Sequence, residues 1–361
     1  MTTQTLRAIG LMSGTSLDGV DAAWLETDGE RITHFGPTAM LAYEDDLRAD
    51  LRRLLDLAPT LAPDDAFLRA VEARLTRDHA LAIGLTGRVA EVVGFHGQTL
   101  LHAPEQRRTW QIGDAALLAR LCRMPIVHDF RSADVAAGGQ GAPLAPLFHA
   151  AMAAQLEKPL LIVNIGGVAN ITYLGKEGEI LACDAGPGNG PLDDLAQQYM
   201  GLPYDKDGAL AASGTPDNAR LKILLAHPYF ARPAPKSLDR LSFSGLIAEA
   251  ISGLPVADAA ATLAAFSAAA IAQCRLPASP VRVLVCGGGR KNPVLMAGLQ
   301  AHFTVPVQPV EAAGWDGDAL EAQCFAFLAV RAVKGLPISL PSTTGVSHPL
   351  SGGRYHPHRV E

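Results

Sequence analysis

Short apolar runs separated by glycine-rich turns dominate the first part of the chain. The apolar residues 6–12 predict a strand, the turn-forming residues 13–19 predict a tight loop, and residues 20–26 predict a second strand. Asp28-Gly29 then predicts a hairpin turn before a further strand at 31–35. The chain therefore opens with a pattern of strand, glycine loop and strand.

Helical spacing of apolar residues follows, and Pro63-Asp64-Asp65 is typical of a helix start. Helices are predicted at 44–57, 63–91, 113–122, 293–299 and 319–330. Short strands are predicted at 92–95, 125–128, 160–164, 168–174, 180–183 and 281–285. Because strands and helices alternate along the chain, the pattern predicts an α/β fold.

The opening pattern recurs in the second half. The strand at 160–164 meets Ile165-Gly166-Gly167 and resumes at 168–174, and a later strand runs into Gly287-Gly288-Gly289. This weak repeat predicts two related α/β lobes with a nucleotide cleft between them.

A stretch rich in Gly and Pro, residues 136–146, is the predicted passage between the lobes. The predicted lobes are therefore 1–140, with a phosphate-binding hairpin loop, and 141–361, with a second phosphate loop and the GGG loop. For the C-terminal tail, both a place in the second lobe and a return to the first lobe are left open.

The composition favours a globular protein without a polyanionic partner. The 361 residues are 48% hydrophobic and 18% charged, with a net charge of −6 and no basic cluster, which argues against nucleic-acid binding. The five cysteines are far apart and form no CxxC pair, so buried free thiols are expected.

No membrane segment is expected. Residues 1–12 carry too short an apolar run for a signal peptide, and the Ala-rich residues 255–276 contain polar positions that suit an amphipathic helix. We therefore expect a cytoplasmic protein that does not bind a membrane.

The loop at 13–19 has the residues of a phosphate site. Its small residues let backbone N–H groups approach phosphate oxygens, its hydroxyls add donors, and Asp18 is able to hold Mg²⁺ directly or through water. It matches neither the Walker A nor the Rossmann pattern. A plain turn is the alternative for one such loop, but three glycine loops after apolar strands favour a gripped nucleotide.

Two carboxylates are candidates for chemistry. Asp184, placed after the strand at 180–183 in a Gly/Pro loop, suits a general base, although capping of its own turn explains it equally well. Glu321 begins an otherwise apolar helix, where it either caps the N-terminus or points into a site. The histidines lack metal-binding spacing, so no dedicated protein metal site is expected.

Eight segments carry distinctive motifs: Ile9–Asp21, Phe95–Thr99, Trp110–Asp114, Asp129–Ala136, Gly138–Leu144, Asn164–Asn170, Asp184–Asn189 and Cys286–Asn292. Together they resemble the anhydro-N-acetylmuramic acid kinase family, and the likeness runs in uninterrupted order from residue 9 to about residue 345. The resemblance implies the two-lobed, ribonuclease H-like fold of the acetate and sugar kinase, Hsc70 and actin superfamily.

The resemblance also implies a double reaction. Water opens the ring of 1,6-anhydro-N-acetylmuramic acid at the anomeric carbon, and the released O6 takes the γ-phosphoryl group of ATP, with Mg²⁺. The products are N-acetylmuramic acid 6-phosphate and ADP, in peptidoglycan recycling. The family further implies a homodimer.

The implied roles fall on three groups of residues. Asp184 is the implied general base. The implied nucleotide-binding residues are Gly14, Thr15, Ser16, Leu17, Asp18, Gly19, Val20, Asp21, Asn164, Gly166, Gly167, Gly287, Gly288 and Gly289. The implied sugar-binding residues are Gln98, Thr99, Arg131 and Glu321.

Two alternatives remain open at this point. One is another sugar or carboxylate kinase of the same superfamily. The other is an ATP-gated binding or filament module, since a fold alone does not fix a function.

Overall fold

The structure, a computed structural model, describes residues 4–14, 16–239 and 242–358. The chain divides into two compact units. The first consists of Met1–Ala154 and Ala319–Glu361, and the second of Gln155–Asp318.

The strands and helices alternate through most of the chain. The strands are β1 Leu6–Ser13, β2 Gly19–Thr27, β3 Ile32–Ala42, β4 Val92–Ala103, β5 Arg108–Ile112, β6 Ile126–His128, β7 Leu160–Ile165, β8 Val168–Leu174, β9 Ile180–Pro187, β10 Arg282–Cys286, β11 Val307–Pro309 and β12 Arg354–His356. The helices are α1 Asp45–Leu57, α2 Ala66–Leu85, α3 Ala115–Cys122, α4 Ser132–Ala136, α5 Pro146–Met152, α6 Gly190–Met200, α7 Ala209–Ala212, α8 Asn218–Leu225, α9 Ser244–Ile251, α10 Val256–Ala272, α11 Pro293–His302, α12 Leu320–Val333 and α13 Pro341–Thr344.

The two sheets share one topology. In the first unit the order is β12-β6-β4-β1-β2-β3, with β5 added on β4, and in the second it is β11-β10-β7-β8-β9. In each unit a meander of antiparallel strands is followed by strands parallel to its first member, β4 beside β1 and β10 beside β7. The predicted pair of related ribonuclease H-like lobes is therefore confirmed.

The division of the chain differs from the predicted lobes of 1–140 and 141–361. The Gly/Pro stretch at 136–146 lies within the first unit, and the chain enters the second unit only at Gln155. The physical reason is α5, whose Phe148 ring lies 5.8 Å from the ring of Phe327 on α12 and joins the same core. The C-terminal segment from Ala319 also belongs to the first unit.

Several strands are longer than their apolar runs. β3 reaches Ala42 and β4 reaches Ala103, because each continues to pair with a neighbour after its sequence becomes polar or glycine-rich. β5 and β12 have too few apolar residues to predict a strand, and they form by pairing at the sheet margins.

Helix α10 is buried on nearly all sides, so the prediction of an amphipathic helix at 255–276 was wrong. Its small residues pack into the core of the second unit, where only a thin helix fits. The Thr262 hydroxyl donates to the Asp258 carbonyl, and the Ser267 hydroxyl donates to the Gly188 carbonyl at 2.9 Å, which lets these polar residues lie inside. Within the described ranges, no helix combines the length and the apolar run that a bilayer span requires.

Glycines let α12 approach the first sheet closely. Gly10 on β1 and Gly94 on β4 lie side by side, and a Cβ at either position would overlap helix carbonyl oxygens, those of Ala322 and Phe325 respectively. This contact fixes the height of α12, and therefore of Glu321 in its first turn, above the sheet.

We expect Gly10→Ala to lower the free energy of unfolding by about 3 kcal/mol or more, since the new methyl group meets backbone that cannot move aside. Gly84→Ala is the matched control, because nothing lies within 4 Å of a Cβ at this helix position. The control should stabilise by up to about 1 kcal/mol. Denaturant unfolding of both variants measures the difference, and equal stabilities would contradict the close contact.

Candidate active site

The loop after β1 in the first unit is held from both sides by hydrogen bonds. The Ser13 hydroxyl donates to Gln98 Oε1 at 2.5 Å, so the Tyr43 hydroxyl, 2.6 Å from Ser13 Oγ, is the donor in that second bond. The Tyr43 N–H also donates to the carbonyl of Asp18 at 3.1 Å. Predicted sugar-site residue Gln98 is thus tied to the start of the predicted phosphate loop.

Leu17 gives this loop its shape. Its φ is 58°, in the left-handed region that residues other than glycine seldom adopt, while its side chain is buried in the core. The Arg48 Nε–H donates to the Leu17 carbonyl at 3.0 Å, and the Leu17 N–H donates to the Gly14 carbonyl at 3.2 Å. Leu17 therefore shapes the loop, because its side chain is in the core and its backbone N–H and carbonyl both have partners. Val20 is likewise a core side chain.

Open space lies above the loop. A Cβ at Gly14 would come no nearer than 3.4 Å to any neighbour, the Ser16 hydroxyl. Ser16 and Asp18 are exposed, and the Ser16 hydroxyl donates to Asp18 Oδ1 at 2.7 Å. Gly19 begins β2, and Asp21 on β2 is opposite Met12. Thr15, also predicted to bind nucleotide, lies outside the described residues.

Arg131 is oriented by a buried histidine. Its Nε and Nη2 lie 3.2 and 3.0 Å from His96 Nε2, and its Nη1 donates to the Gly141 carbonyl at 2.7 Å. Burial, and then the Arg131 charge, hold the pKa of His96 well below its usual range. Neutral His96 therefore accepts at Nε2 and carries its proton at Nδ1, which lies 2.7 Å from the Gly97 carbonyl.

Glu321 lies in the first turn of α12. Burial raises the pKa of the Cys324 thiol, the Glu321 carboxylate raises it further and the Arg131 guanidinium lowers it. Both charges thus act on one thiol. The ring of Phe325 lies 4.5 Å from that of His96, which packs α12 against the histidine.

Thr99 belongs to a polar network on β4 and β5. The Gln111 amide donates to the Thr99 and Thr109 hydroxyls at 3.2 and 2.9 Å. His102 joins the network, with Nδ1 3.0 Å from Thr109 Oγ1 and Nε2 2.9 Å from the Gln140 carbonyl. His96 and Gln111 were not predicted as supports, and the signal for Gln111 was the alternation of polar and apolar residues along 109–111.

In the second unit three polar residues form a row across the sheet. Asn164 on β7 pairs with Asn170 on β8, which pairs with Asp184 on β9. Directly opposed residues of antiparallel strands project from the same face, so the three side chains share one face. Asn170 was not predicted, and its signal was its place opposite Asn164 across the glycine turn.

Asp184 lies inside β9, and not in a loop after a strand that ends at Cys183. The strand continues to Pro187 because it keeps pairing with β8 beyond the apolar run. The carboxylate is buried, and its Oδ2 accepts the Leu238 N–H at 2.8 Å. The Asp184 N–H donates to the Lys236 carbonyl at 2.9 Å, and the Tyr229 hydroxyl donates to the Asp184 carbonyl at 2.7 Å.

Three glycine-containing loops meet beside this row. The N–H groups of Gly188 and Asn189 donate to the carbonyls of Gly167 and Gly166 at 3.0 and 2.7 Å. Gly287 has a φ of 75°, and a Cβ there would overlap the Asn164 side chain. A Cβ at Gly289 would lie 2.8 Å from Asn189 Oδ1, whereas one at Gly166 would fit, at 3.7 Å from the Val168 carbonyl oxygen.

The GGG loop is fixed by an arginine that follows it. Arg290 is buried, and it donates to the Gly287 carbonyl at 3.1 Å and to Glu311 at 2.8 Å, with Asp318 3.0 Å from its Nη2. Gly288 and Gly289 begin a short 3-10 turn, and Asn292 then caps α11. The predicted residues Asn164, Gly166, Gly167 and Gly287–Gly289 are therefore brought together.

In the part of the chain that the structure describes, no group of three or more His, Cys, Asp or Glu side chains is placed to hold a metal ion. In the first unit Gly14 lies beside the exposed side chains of Ser16 and Asp18, and a Cβ added at Gly14 would make only van der Waals contact. Such a set fits the phosphates of a nucleotide with the Mg²⁺ that accompanies them.

A family model and several similar proteins carry the same name. The family model described as anhydro-N-acetylmuramic acid kinase matches residues 6–358. A protein of that name from Acidiphilium cryptum is 67% identical over 97% of this chain and 98% of its own length. Those of Gluconobacter oxydans and Rhodospirillum rubrum are 55% and 52% identical, over 96% and 97% of this chain and 99% and 94% of their own lengths.

One solved structure that the chain resembles is only a distant match. A ROK family glucokinase from Streptomyces griseus, in complex with glucose and AMPPNP, is 16% identical over 90% of this chain and 99% of its own, with a TM-score of 0.39. A similarity this low adds nothing to the fold class, which rests on the two strand orders.

Proposed function

The chain belongs to the anhydro-N-acetylmuramic acid kinase family, and from this premise we propose that it converts 1,6-anhydro-N-acetylmuramic acid to N-acetylmuramic acid 6-phosphate. Water adds at the anomeric carbon, the bond from that carbon to O6 breaks, and O6 takes the γ-phosphoryl group of ATP. The other product is ADP. The atoms balance with one water consumed for each ATP.

The observation that carries the proposal is the buried Asp184 carboxylate, held beside a cluster of glycine loops. Attack of water on an anomeric carbon needs a carboxylate that accepts the proton of the water, as in inverting glycosidases. The Leu238 N–H fixes one carboxylate oxygen, so the group keeps a constant direction. We assign Asp184 as this general base.

The glycine loops are the proposed nucleotide site. Phosphoryl transfer depends mainly on positioning and on donors aimed at the phosphate oxygens. We assign this role to Gly14–Asp21 in the first unit and, in the second unit, to Asn164, Gly166–Gly167 and Gly287–Gly289. Mg²⁺ would neutralise phosphate charge when it is bound with ATP. Asp18, the exposed carboxylate of the first loop, would hold it directly or through water.

The proposed sugar contacts are Gln98, Thr99, Arg131 and Glu321. Arg131 is the cation suited to the carboxylate of the substrate's lactyl group, because a guanidinium binds a carboxylate through two parallel hydrogen bonds. A cytoplasmic location, a homodimer and a role in peptidoglycan recycling remain predictions that the family resemblance implies.

Removal of the histidine that orients Arg131 should weaken sugar binding. In His96→Leu the guanidinium loses its acceptor, and we expect KM for the sugar to rise about tenfold, the cost of one charged hydrogen bond. The affinity for ATP should not change. Steady-state kinetics with each substrate varied in turn measures both, and an unchanged sugar KM in a folded variant would separate Arg131 from the sugar.

Incubation of the protein with ATP, Mg²⁺ and the anhydro sugar, followed by mass analysis, tests the proposed function. The expected product is heavier than the substrate by one water and one phosphoryl group. Phosphorylation of glucose or acetate, without any product from the anhydro sugar, would instead favour another kinase of the superfamily.

A further inference from the structure

A buried lysine lies behind the proposed base and has no part in the reaction as described so far. Lys236 is only 4% exposed, and its neighbours are Tyr229, also 4% exposed, and Asp184. Burial of an ammonium group costs several kcal/mol in general, so a lysine here needs compensating interactions.

Lys236, Tyr229 and Asp184 form a closed frame. The Lys236 carbonyl accepts the Asp184 N–H at 2.9 Å, and the Lys236 ammonium donates to the Tyr229 carbonyl at 3.0 Å. The Tyr229 hydroxyl returns to the Asp184 carbonyl at 2.7 Å. Two residues after Lys236, the Leu238 N–H donates to the carboxylate itself. The backbone and the carboxylate of Asp184 are therefore held by the segment 236–238 and by Tyr229.

The ammonium also has an aromatic face as a partner. Lys236 Nζ lies 4.3 Å from the centroid of the Tyr229 ring, within the range of a cation–π interaction. The Arg232 guanidinium approaches the same ring, at 5.6 Å from the centroid. Two cations, Lys236 and Arg232, therefore lie near the Tyr229 ring.

The ionisable groups that act on this cluster come from several elements. Burial lowers the pKa of Lys236 and Arg232 lowers it too, while the Cys274, Cys183 and Asp184 charges raise it. Burial, and then the Asp184 charge, raise the pKa of the Tyr229 hydroxyl, which stays protonated as a donor. Lys236 and Arg232 are therefore the cations of the cluster, and Asp184 is its carboxylate.

We propose that Lys236 is a positioning residue for the reaction: through the frame with Tyr229 it fixes Asp184, and its charge acts on that carboxylate. The inference rests on the proposed function, since it takes Asp184 as the base. A nearby ammonium favours the ionised form of a carboxylate. Loss of the charge should therefore move the acid limb of the kcat–pH profile to higher pH.

Lys236→Gln tests the charge, because the amide retains a donor for the Tyr229 carbonyl. We expect kcat to fall about tenfold. The acid limb of the plot of kcat against pH should move to higher pH by about one unit, and the affinity for ATP should not change. Lys236→Arg keeps the charge and should keep the acid limb of the unaltered protein. A purely structural role would lower the melting temperature without moving the acid limb.

Tyr229→Phe tests the frame without a change of charge. It removes the hydrogen bond to the Asp184 carbonyl, so kcat should fall severalfold while the acid limb stays in place. This variant also decides the positioning role if Lys236→Gln does not fold, because an unchanged kcat would then overturn it.

Failure of the proposed role of Lys236 can be distinguished from failure of the proposed function. If the unaltered protein gives no ring-opened phosphate, the proposed function fails, and if Asp184→Asn is as active as that protein, the assignment of Asp184 as the base fails. If both of those results are as expected and Lys236→Gln leaves kcat and the acid limb unchanged, only the role of Lys236 is overturned.

Discussion

Asp184→Asn is expected to lower turnover of the anhydro sugar by a factor on the order of 10²–10⁴, the usual cost of losing a general base. The amide oxygen of Asn can still accept the Leu238 N–H, so the fold around β9 should survive. The amide has no basic site for the proton of water, and the ring-opening step therefore loses its acceptor. ATP affinity should stay within about twofold, because the proposed role of Asp184 is toward water and not toward the phosphates.

Asp217→Asn is the matched control for this substitution. Asp217 caps α8 in the same unit by accepting the Ala219 and Arg220 N–H groups, and Asn serves equally well at that position. Turnover in the control should equal that of the unaltered protein. Near-normal turnover in a folded Asp184→Asn variant would remove Asp184 from the mechanism.

Gly14→Val is expected to weaken ATP binding tenfold or more, which is about the loss of one hydrogen bond to a charged group. A side chain at this position meets only the Ser16 hydroxyl, so the fold itself should tolerate it. The branched side chain would occupy the space through which phosphate oxygens reach the backbone donors. Calorimetric titration with ATP, at unchanged melting temperature, measures the effect.

Gly245→Val provides the comparison at a site away from the loops. Nothing lies within 4 Å of a Cβ at this exposed position in α9, and ATP affinity should be unaffected. Equal ATP affinity in both variants would mean that the Ser13–Gly19 loop is a turn without a role in binding.

The alternation of strands and glycine loops was enough to predict the duplicated fold. Apolar runs such as those of β1, β2, β7 and β8 are buried strands, and their hydrophobic pattern marks them directly. The strands β5 and β12 at the sheet margins could not be predicted from the sequence. They form because a neighbouring strand offers hydrogen bonds, and no local sequence pattern encodes this pairing.

For the site too, the local sequence marked single candidate residues but not their contacts with residues far along the chain. The position of Asp184 in a Gly/Pro segment marked it as a candidate, but its place inside β9 depends on pairing with Asn170. Lys236 and Tyr229 lie 52 and 45 residues further along the chain, and their contacts with Asp184 exist only after folding. No local pattern gave His96 a role at the site, whereas in the structure it accepts a hydrogen bond from Arg131.

The ring-opening step is tested most directly by running the reaction in ¹⁸O-labelled water. If water attacks the anomeric carbon, the label enters C1 of the product sugar, and the transferred phosphoryl group carries none because its bridging oxygen is the former ring O6. A kinase that acts on a free hydroxyl would put no solvent oxygen into either product. Label found only in inorganic phosphate would show ATP hydrolysis and contradict the proposed reaction.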